Sequence, residues 1–293
     1  MSHDDSAAQP IARRPEEVEL IDFGDGARLE RFGDRSVDRP HPAATRARRL
    51  PDAWRDADLR FDRDLGWTGA SADAGPWPVV VDGLTLQLRR TDAGQVGLFP
   101  EHAEAIPWLR EQVRERTTTA VPTPAILHLF AYTGLATLAM AEAGAAVAHV
   151  DSARPTVAWA RHNAGLAGLA ERPVRWIVDD ARAFAEREAR RGRRYAGLVL
   201  DPPTYGHGPG RAAWRIETDL EPLLAVCRHI LDEAAFVLLT AHTPEQGPDD
   251  LGVALARALR HDASGIDVGT LGLVASDGAR MELGSSARIA GRA

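Results

Sequence analysis

The stretch ILHLFAYTGLATLAMAEAGAAVAHVD, residues 126–151, changes period twice inside what first reads as one apolar run. AILHLF (125–130) is a short unbroken apolar segment of the kind buried on both faces of a parallel sheet. LATLAMAEAG (135–144) is built from strong helix formers and closes on a glycine suited to a helix C-terminus. AAVAHVD (145–151) returns to the buried-strand pattern and ends in an acid. A membrane span needs about 20 apolar residues with few polar interruptions, and His128, Glu142 and His149 interrupt this one. Strand, turn, helix, strand is half of a doubly wound sheet.

The alternation continues downstream. Helices are predicted over 154–170, 181–192, 217–232 and 249–260, and strands over 174–180, 195–203 and 234–242. Residues 267–290 read as a final hairpin that adds an antiparallel strand to an otherwise mostly parallel, Rossmann-like α/β sheet. The first hundred residues differ. Residues 17–40 alternate short apolar runs with Gly-Asp turns, and 77–103 contain a hairpin with an Asp82-Gly83 turn. The expected organisation is a disordered tail over 1–15, a small β-rich N-terminal domain over 16–100 and a catalytic domain over 101–293, opening with a helix near 101–116.

Composition narrows the chemistry. The 293 residues carry a formal net charge of −7, so any polyanion binding rests on a local basic patch. All 35 basic residues are arginine, which excludes a Schiff-base lysine and a lysine-bearing phosphate loop. The single cysteine, Cys227, excludes an internal disulfide and an all-cysteine zinc site. The N-terminus lacks the apolar core of a secretory signal, so the chain is expected to be cytoplasmic, with no membrane segment and no metal.

Ligands of open parallel sheets bind beyond the carboxyl ends of the strands, where strand order reverses. Four features fall at such ends: FAYTG (Phe130, Ala131, Tyr132, Thr133, Gly134), Asp151 with Ser152, Asp179-Asp180, and DPPTY (Asp201, Pro202, Pro203, Thr204, Tyr205). Each has a use if the ligand is S-adenosylmethionine. The Thr133-Gly134 turn admits the amino-acid end, Asp151 accepts from the ribose diol, and Asp180 accepts from the adenine amino group. Asp201-Pro202-Pro203 would turn backbone carbonyls toward the transferable methyl. Asp180 could equally cap the following helix. A nicotinamide dinucleotide would instead need G-x-G-x-x-G for its pyrophosphate, and Phe130, Tyr132 and Leu135 stand around a single Gly134 here.

These motifs, in this order, resemble the class I S-adenosylmethionine-dependent methyltransferases. LFAYTG paired with DPPTY is most similar to the branch of bacterial large-subunit ribosomal RNA methyltransferases that modify cytosine C5 or guanine N7. GLFPEHA also resembles a segment of such enzymes, with His102 standing where Gln or Asp-Gln-Arg is more usual. The N-terminal region does not match the RNA-binding PUA module of the better-known members.

The resemblance implies S-adenosylmethionine as cofactor and a base in RNA as acceptor. Cytosine C5 chemistry needs a cysteine nucleophile, and Cys227 falls on an apolar helical stripe, which favours a base nitrogen. Tyr205 could stack on a base, with Thr204, His207 and Trp214, and more remotely Glu217, lining the acceptor side. Two arginine clusters could guide RNA: Arg46, Arg48 and Arg49, and Arg187, Arg190, Arg191, Arg193 and Arg194, the second also suited to a helix C-terminus. A small-molecule or protein acceptor, and a non-catalytic cofactor-binding role, stay open on sequence.

Overall fold

A computed structural model describes residues 18–206 and 214–291; the tail over 1–15 and His207 lie outside the described residues. Strands β1 (Val18–Gly24), β2 (Ala27–Phe32) and β3 (Arg35–Pro40) form an antiparallel meander. Helix α1 (Pro51–Arg55), β4 (Leu59–Asp62) and β5 (Gly66–Thr68) complete a five-stranded sheet in chain order. A separate hairpin, β6 (Trp77–Val81) and β7 (Leu84–Leu88), turns at Asp82 (φ 48°) and Gly83 (φ 82°), the left-handed pair that an Asp-Gly hairpin signals. The helix expected over 101–116 is split into a 3₁₀ turn, Pro100–Ala105, and helix α2 (Ile106–Arg116) with a proline in its first turn. Proline is tolerated there because the N–H it lacks has no helical partner.

The catalytic sheet follows: β8 (Ala125–Leu129), α3 (Leu135–Glu142), β9 (Ala146–Asp151), α4 (Arg154–Leu166), β10 (Val174–Val178), α5 (Ala181–Arg190) and β11 (Tyr195–Leu200). A two-residue ribbon, β12 (Tyr205–Gly206) and β13 (Trp214–Arg215), precedes α6 (Ile216–Cys227), β14 (Leu231–Ala241), α7 (Pro248–Leu259), β15 (Asp267–Val274) and β16 (Arg280–Ile289). The order is β10-β9-β8-β11-β14-β16-β15, parallel through β14, with β16 antiparallel between β14 and β15. The expected helix over 217–232 stops at Cys227; a 3₁₀ turn follows, and the strand begins at Leu231 because Leu231 already pairs with Tyr195.

Alternation within the strands explains why they read as unbroken apolar runs. Leu127, Leu129, Leu198, Leu200, Val237 and Leu239 pack toward α5, α6 and α7. Ile126, Val147, Val199, Phe236 and Leu238 point the other way, toward α2 and α3. Both faces are covered, so both sets must be apolar. The β6–β7 hairpin buries Trp77, Val79, Leu84, Leu86 and Leu88 against Leu135 and Leu138 of α3 and Ala164 of α4, within one cluster that includes Phe32 and Leu59. At the other end Leu20 and Phe23 of β1 pack with Ala275, Met281 and Leu283. Among the described residues no helix is long and apolar enough to cross a membrane.

Candidate active site

Strand order reverses between β8 and β11, and the turn after β8 lines a small cleft there. Three turn residues are left-handed: Phe130 (φ 54°), Tyr132 (φ 48°) and Gly134 (φ 96°). For a residue with a Cβ this conformation costs roughly 1–2 kcal/mol. The backbone thus follows the path of a glycine-rich turn while carrying two aromatic side chains. Neighbouring groups hold it there. The Asp151 carboxylate accepts from the Tyr132 N–H (3.0 Å) and the Ala153 N–H (2.9 Å). The Thr133 hydroxyl donates to the Gly97 carbonyl (2.6 Å). Asn163 donates to the Thr133 carbonyl (3.0 Å) and accepts from the Gln87 N–H (2.9 Å), tying the turn to β7. A Cβ on Gly97 (φ 95°) would fall 2.2 Å from the Trp159 ring, so only glycine lets this segment reach Thr133.

The strand-end acids divide by environment. Asp151 is half-buried, and burial raises its pKa against the opposing effect of its two backbone donors. Each of its oxygens accepts one N–H, and a carboxylate oxygen can accept more. Ser152 beside it is exposed. Asp179 donates its N–H to the Asp151 carbonyl (3.1 Å), while its carboxylate pairs with Arg187 and accepts from the Asp180 N–H. Asp180 caps α5, accepting from the Ala183 N–H at 2.8 Å, so the capping alternative is realised in the geometry.

Beyond β11 the Pro203 carbonyl accepts from the Trp214 indole N–H at 2.7 Å. The Thr204 carbonyl accepts from the Ile216 N–H, and the Thr204 and Thr243 hydroxyls lie 2.7 Å apart. Pro202 is buried. Trp214 packs on Phe130 with ring centroids 5.1 Å apart, joining β13 to the turn. Tyr205 is 63 % exposed and pairs with Arg215 across the β12–β13 ribbon, and Glu217 sits exposed in the first turn of α6.

Asp201 is the centre of a group that sequence reading largely missed. Its oxygens lie 3.4 Å from His102 Nε2 and 3.6 Å from His242 Nε2, and Oδ1 accepts from the Thr240 hydroxyl at 2.6 Å. Burial alone would raise its pKa; the two imidazoles and the hydroxyl outweigh burial and hold it well below the usual carboxylate range. His102 is raised despite burial, chiefly by the Asp201 carboxylate. Phe99 packs between Tyr132 (5.3 Å) and His242 (5.4 Å), and Glu101, 1 % exposed, lies behind. The available signal was positional. His242 follows β14 directly, and β14 neighbours β11, so its end belongs to the same cleft as DPPTY.

Beneath the turn the Thr137 hydroxyl bridges His128 Nδ1 (2.7 Å) and His149 Nδ1 (2.9 Å). Burial pushes His128 down to about 3 and His149 well below its ordinary value, so both are neutral structural partners. Cys227 is fully buried on α6, and burial pushes its thiol up to about 12. The arginine clusters are largely engaged. Arg46 pairs with Asp22 and Asp277, and Arg48 lies 3.8 Å over the Trp54 ring. Arg187, Arg191 and Arg194 pair with Asp179, Glu188 and Asp232.

No protein-family model matches the chain. It is 30% identical over 160 residues to a ribosomal RNA large subunit methyltransferase K/L of Methylococcus capsulatus, covering 54% of this chain and 21% of that protein. Against the protein of that name from Stutzerimonas stutzeri it is 32% identical over 126 residues, 43% of this chain and 16% of that one. The chain thus spans about a fifth of the length of these curated relatives. Similarity to a crystal structure of a SAM-dependent methyltransferase from Agrobacterium tumefaciens runs nearly end to end: 32% identity, TM-score 0.86, 97% of this chain and 94% of that one. A likeness of that extent, over a sheet whose switch-point cleft is lined by the Phe130–Gly134 turn and Asp201, shows that the chain belongs to the S-adenosylmethionine-dependent methyltransferases.

Proposed function

We propose that the chain transfers a methyl group from S-adenosylmethionine to a base nitrogen in RNA, in the cytoplasm. The observation that carries the reading is the switch-point cleft lined by Phe130 to Gly134 and Asp201, with Phe130 packed on Trp214 and Tyr205 exposed in the DPPTY segment that begins at Asp201. The cofactor's amino-acid end lies along Phe130 to Gly134, its ribose hydroxyls donate to Asp151 beside Ser152, and its adenine meets the Asp179-Asp180 loop. Displacement at a sulfonium needs position and exclusion of water more than acid or base. An aromatic face supplies position for a presented or flipped base. The names of the curated relatives support an RNA acceptor, and the inert Cys227 speaks against the cysteine-dependent route to cytosine C5. The division into an N-terminal unit over 16–100 and a catalytic unit over 101–293 makes the former the natural docking partner for the acceptor.

One observation favours a second reading, the same chemistry on a small molecule or a protein. Most arginines of the two clusters are already paired with acids or stacked, so the basic footprint is thin. Label transfer separates the two. Tritiated cofactor is incubated with the protein and with ribosomal RNA from a strain lacking the gene, and counts are expected in RNA. Counts only in small molecules or protein would defeat the RNA reading.

A further inference from the structure

Sequence reading expects no metal, because the residues concerned are far apart in the chain. Among the described residues, however, one group of three side chains converges as metal ligands do: His102, Asp201 and His242, with donor atoms all within 4.8 Å of one another. We propose that this group is a resident site for a divalent transition-metal ion, held by His102 Nε2, His242 Nε2 and an Asp201 oxygen at the acceptor end of the cleft.

Tautomers are the first support. His242 Nδ1 lies 2.9 Å from the Leu283 carbonyl, which can only accept, so Nδ1 carries a proton, and in the neutral ring Nε2 presents the lone pair. His242 Nε2 lies 3.0 Å from His102 Nε2 and 3.6 Å from Asp201 Oδ1, and His102 Nε2 lies 3.4 Å from the other oxygen, Oδ2. Three potential donor atoms thus face one another. A proton on His102 satisfies part of the group, while a metal ion satisfies all of it. Edge lengths are the second support. Metal–ligand bonds of about 2.0–2.1 Å place neighbouring donor atoms about 3.3 Å apart in a tetrahedron and about 2.9 Å apart at right angles. The His102–His242 separation of 3.0 Å falls between those values, and the 3.4 and 3.6 Å separations to the two Asp201 oxygens lie just above them.

The surroundings fit as well. The Leu283 carbonyl orients one imidazole and the Thr240 hydroxyl orients the carboxylate, as outer-shell partners of metal ligands do. Asp201 and His242 follow adjacent, register-locked strands, so the site is preformed. His102 and Asp201 line the cleft, which leaves open positions on the ion facing it. Two imidazoles with one carboxylate select zinc, iron, cobalt or nickel over magnesium or calcium. If the cleft is the methyl-transfer site proposed above, the ion holds the acceptor through an oxygen or nitrogen lone pair.

The test uses full-length protein freed of any affinity tag and stripped with chelator. It is titrated with Co²⁺ alone, followed by visible absorption, and with Zn²⁺ by calorimetry. One equivalent per chain and visible ligand-field bands are expected. His102→Gln and His242→Gln, each checked for an unchanged melt, should weaken binding by about 100-fold or more, since even outer-shell partners are worth 10- to 100-fold. Absence of one-equivalent binding in wild type, or equal affinity in the single variants, overturns the proposal. Should either variant fail to fold, Thr240→Val provides the second arm, with a loss of about 10-fold expected and none overturning it. Methyl transfer to RNA with a blank metal titration sinks the metal alone; metal binding with no label in RNA sinks the RNA reading alone.

Discussion

At the scale of single residues, Asp151 joins two jobs. Its carboxylate fixes the left-handed Tyr132 through the backbone N–H, and in the reading proposed above it also accepts from the ribose diol. Loss of a charged acceptor from hydrogen bonds of this kind costs about 1.5–3 kcal/mol, and each 1.4 kcal/mol is about tenfold in affinity. Asp151→Ala should therefore weaken S-adenosylmethionine binding by roughly 10- to 100-fold in calorimetry, with Asp151→Asn intermediate because one oxygen remains. Equal affinity in wild type and Asp151→Ala would remove Asp151 from the cofactor site. Residue types are also where sequence reading is weakest. Phe130 and Tyr132 look incompatible with a glycine-type turn, and the structure places both at positive φ all the same. The turn is held by Thr133 within it and by Asp151 and Asn163, which are distant in the chain and near only in space.

At the scale of elements, α5 is tied to the sheet by one buried carboxylate. Glu188, 1 % exposed, accepts from the Tyr195 hydroxyl (2.6 Å) and from Arg191 (3.1 Å), with Arg175 at 3.6 Å. Burial pushes its pKa up; the hydrogen bonds and the two arginines prevail and leave it lowered. A carboxylate depressed on folding contributes stability that is full above its unfolded value, about 4.3, and fades as pH falls through the folded one. Glu188→Gln should thus cost on the order of 1–3 kcal/mol at pH 7, with its urea midpoint converging on wild type below about pH 4. A pH-independent gap would refute the charge-based account. The parallel strands were legible where a short apolar run is stopped by an acid, as at Asp151, Asp179 and Asp201. The cleft was illegible at His242, a lone histidine after β14, because only strand order brings it beside Asp201.

At the scale of the whole molecule, the boundary near residue 100 separates two sequence patterns that share one core. The β6–β7 hairpin supplies Trp77, Val79, Leu84, Leu86 and Leu88 to the cluster that covers Leu135, Leu138 and Ala164. The Gly97 carbonyl and the Gln87 N–H reach the cofactor turn through Thr133 and Asn163. Fully burying a side chain such as Leu or Val is worth about 1.5–3 kcal/mol, and a domain's whole margin is only about 5–15 kcal/mol. Uncovering α3 and α4 therefore removes a large share of that margin and frees the turn at once. A chain of residues 101–293 alone should lose cooperative thermal unfolding, expose apolar surface to a dye such as ANS, and fail to bind S-adenosylmethionine in calorimetry. Restarting the chain at residue 77, which restores the hairpin and the Gly97 segment without the five-stranded sheet, should recover part of the cofactor affinity. If residues 101–293 unfold cooperatively and bind the cofactor as the full chain does, the hairpin is an appendage and the turn is held by the sheet alone.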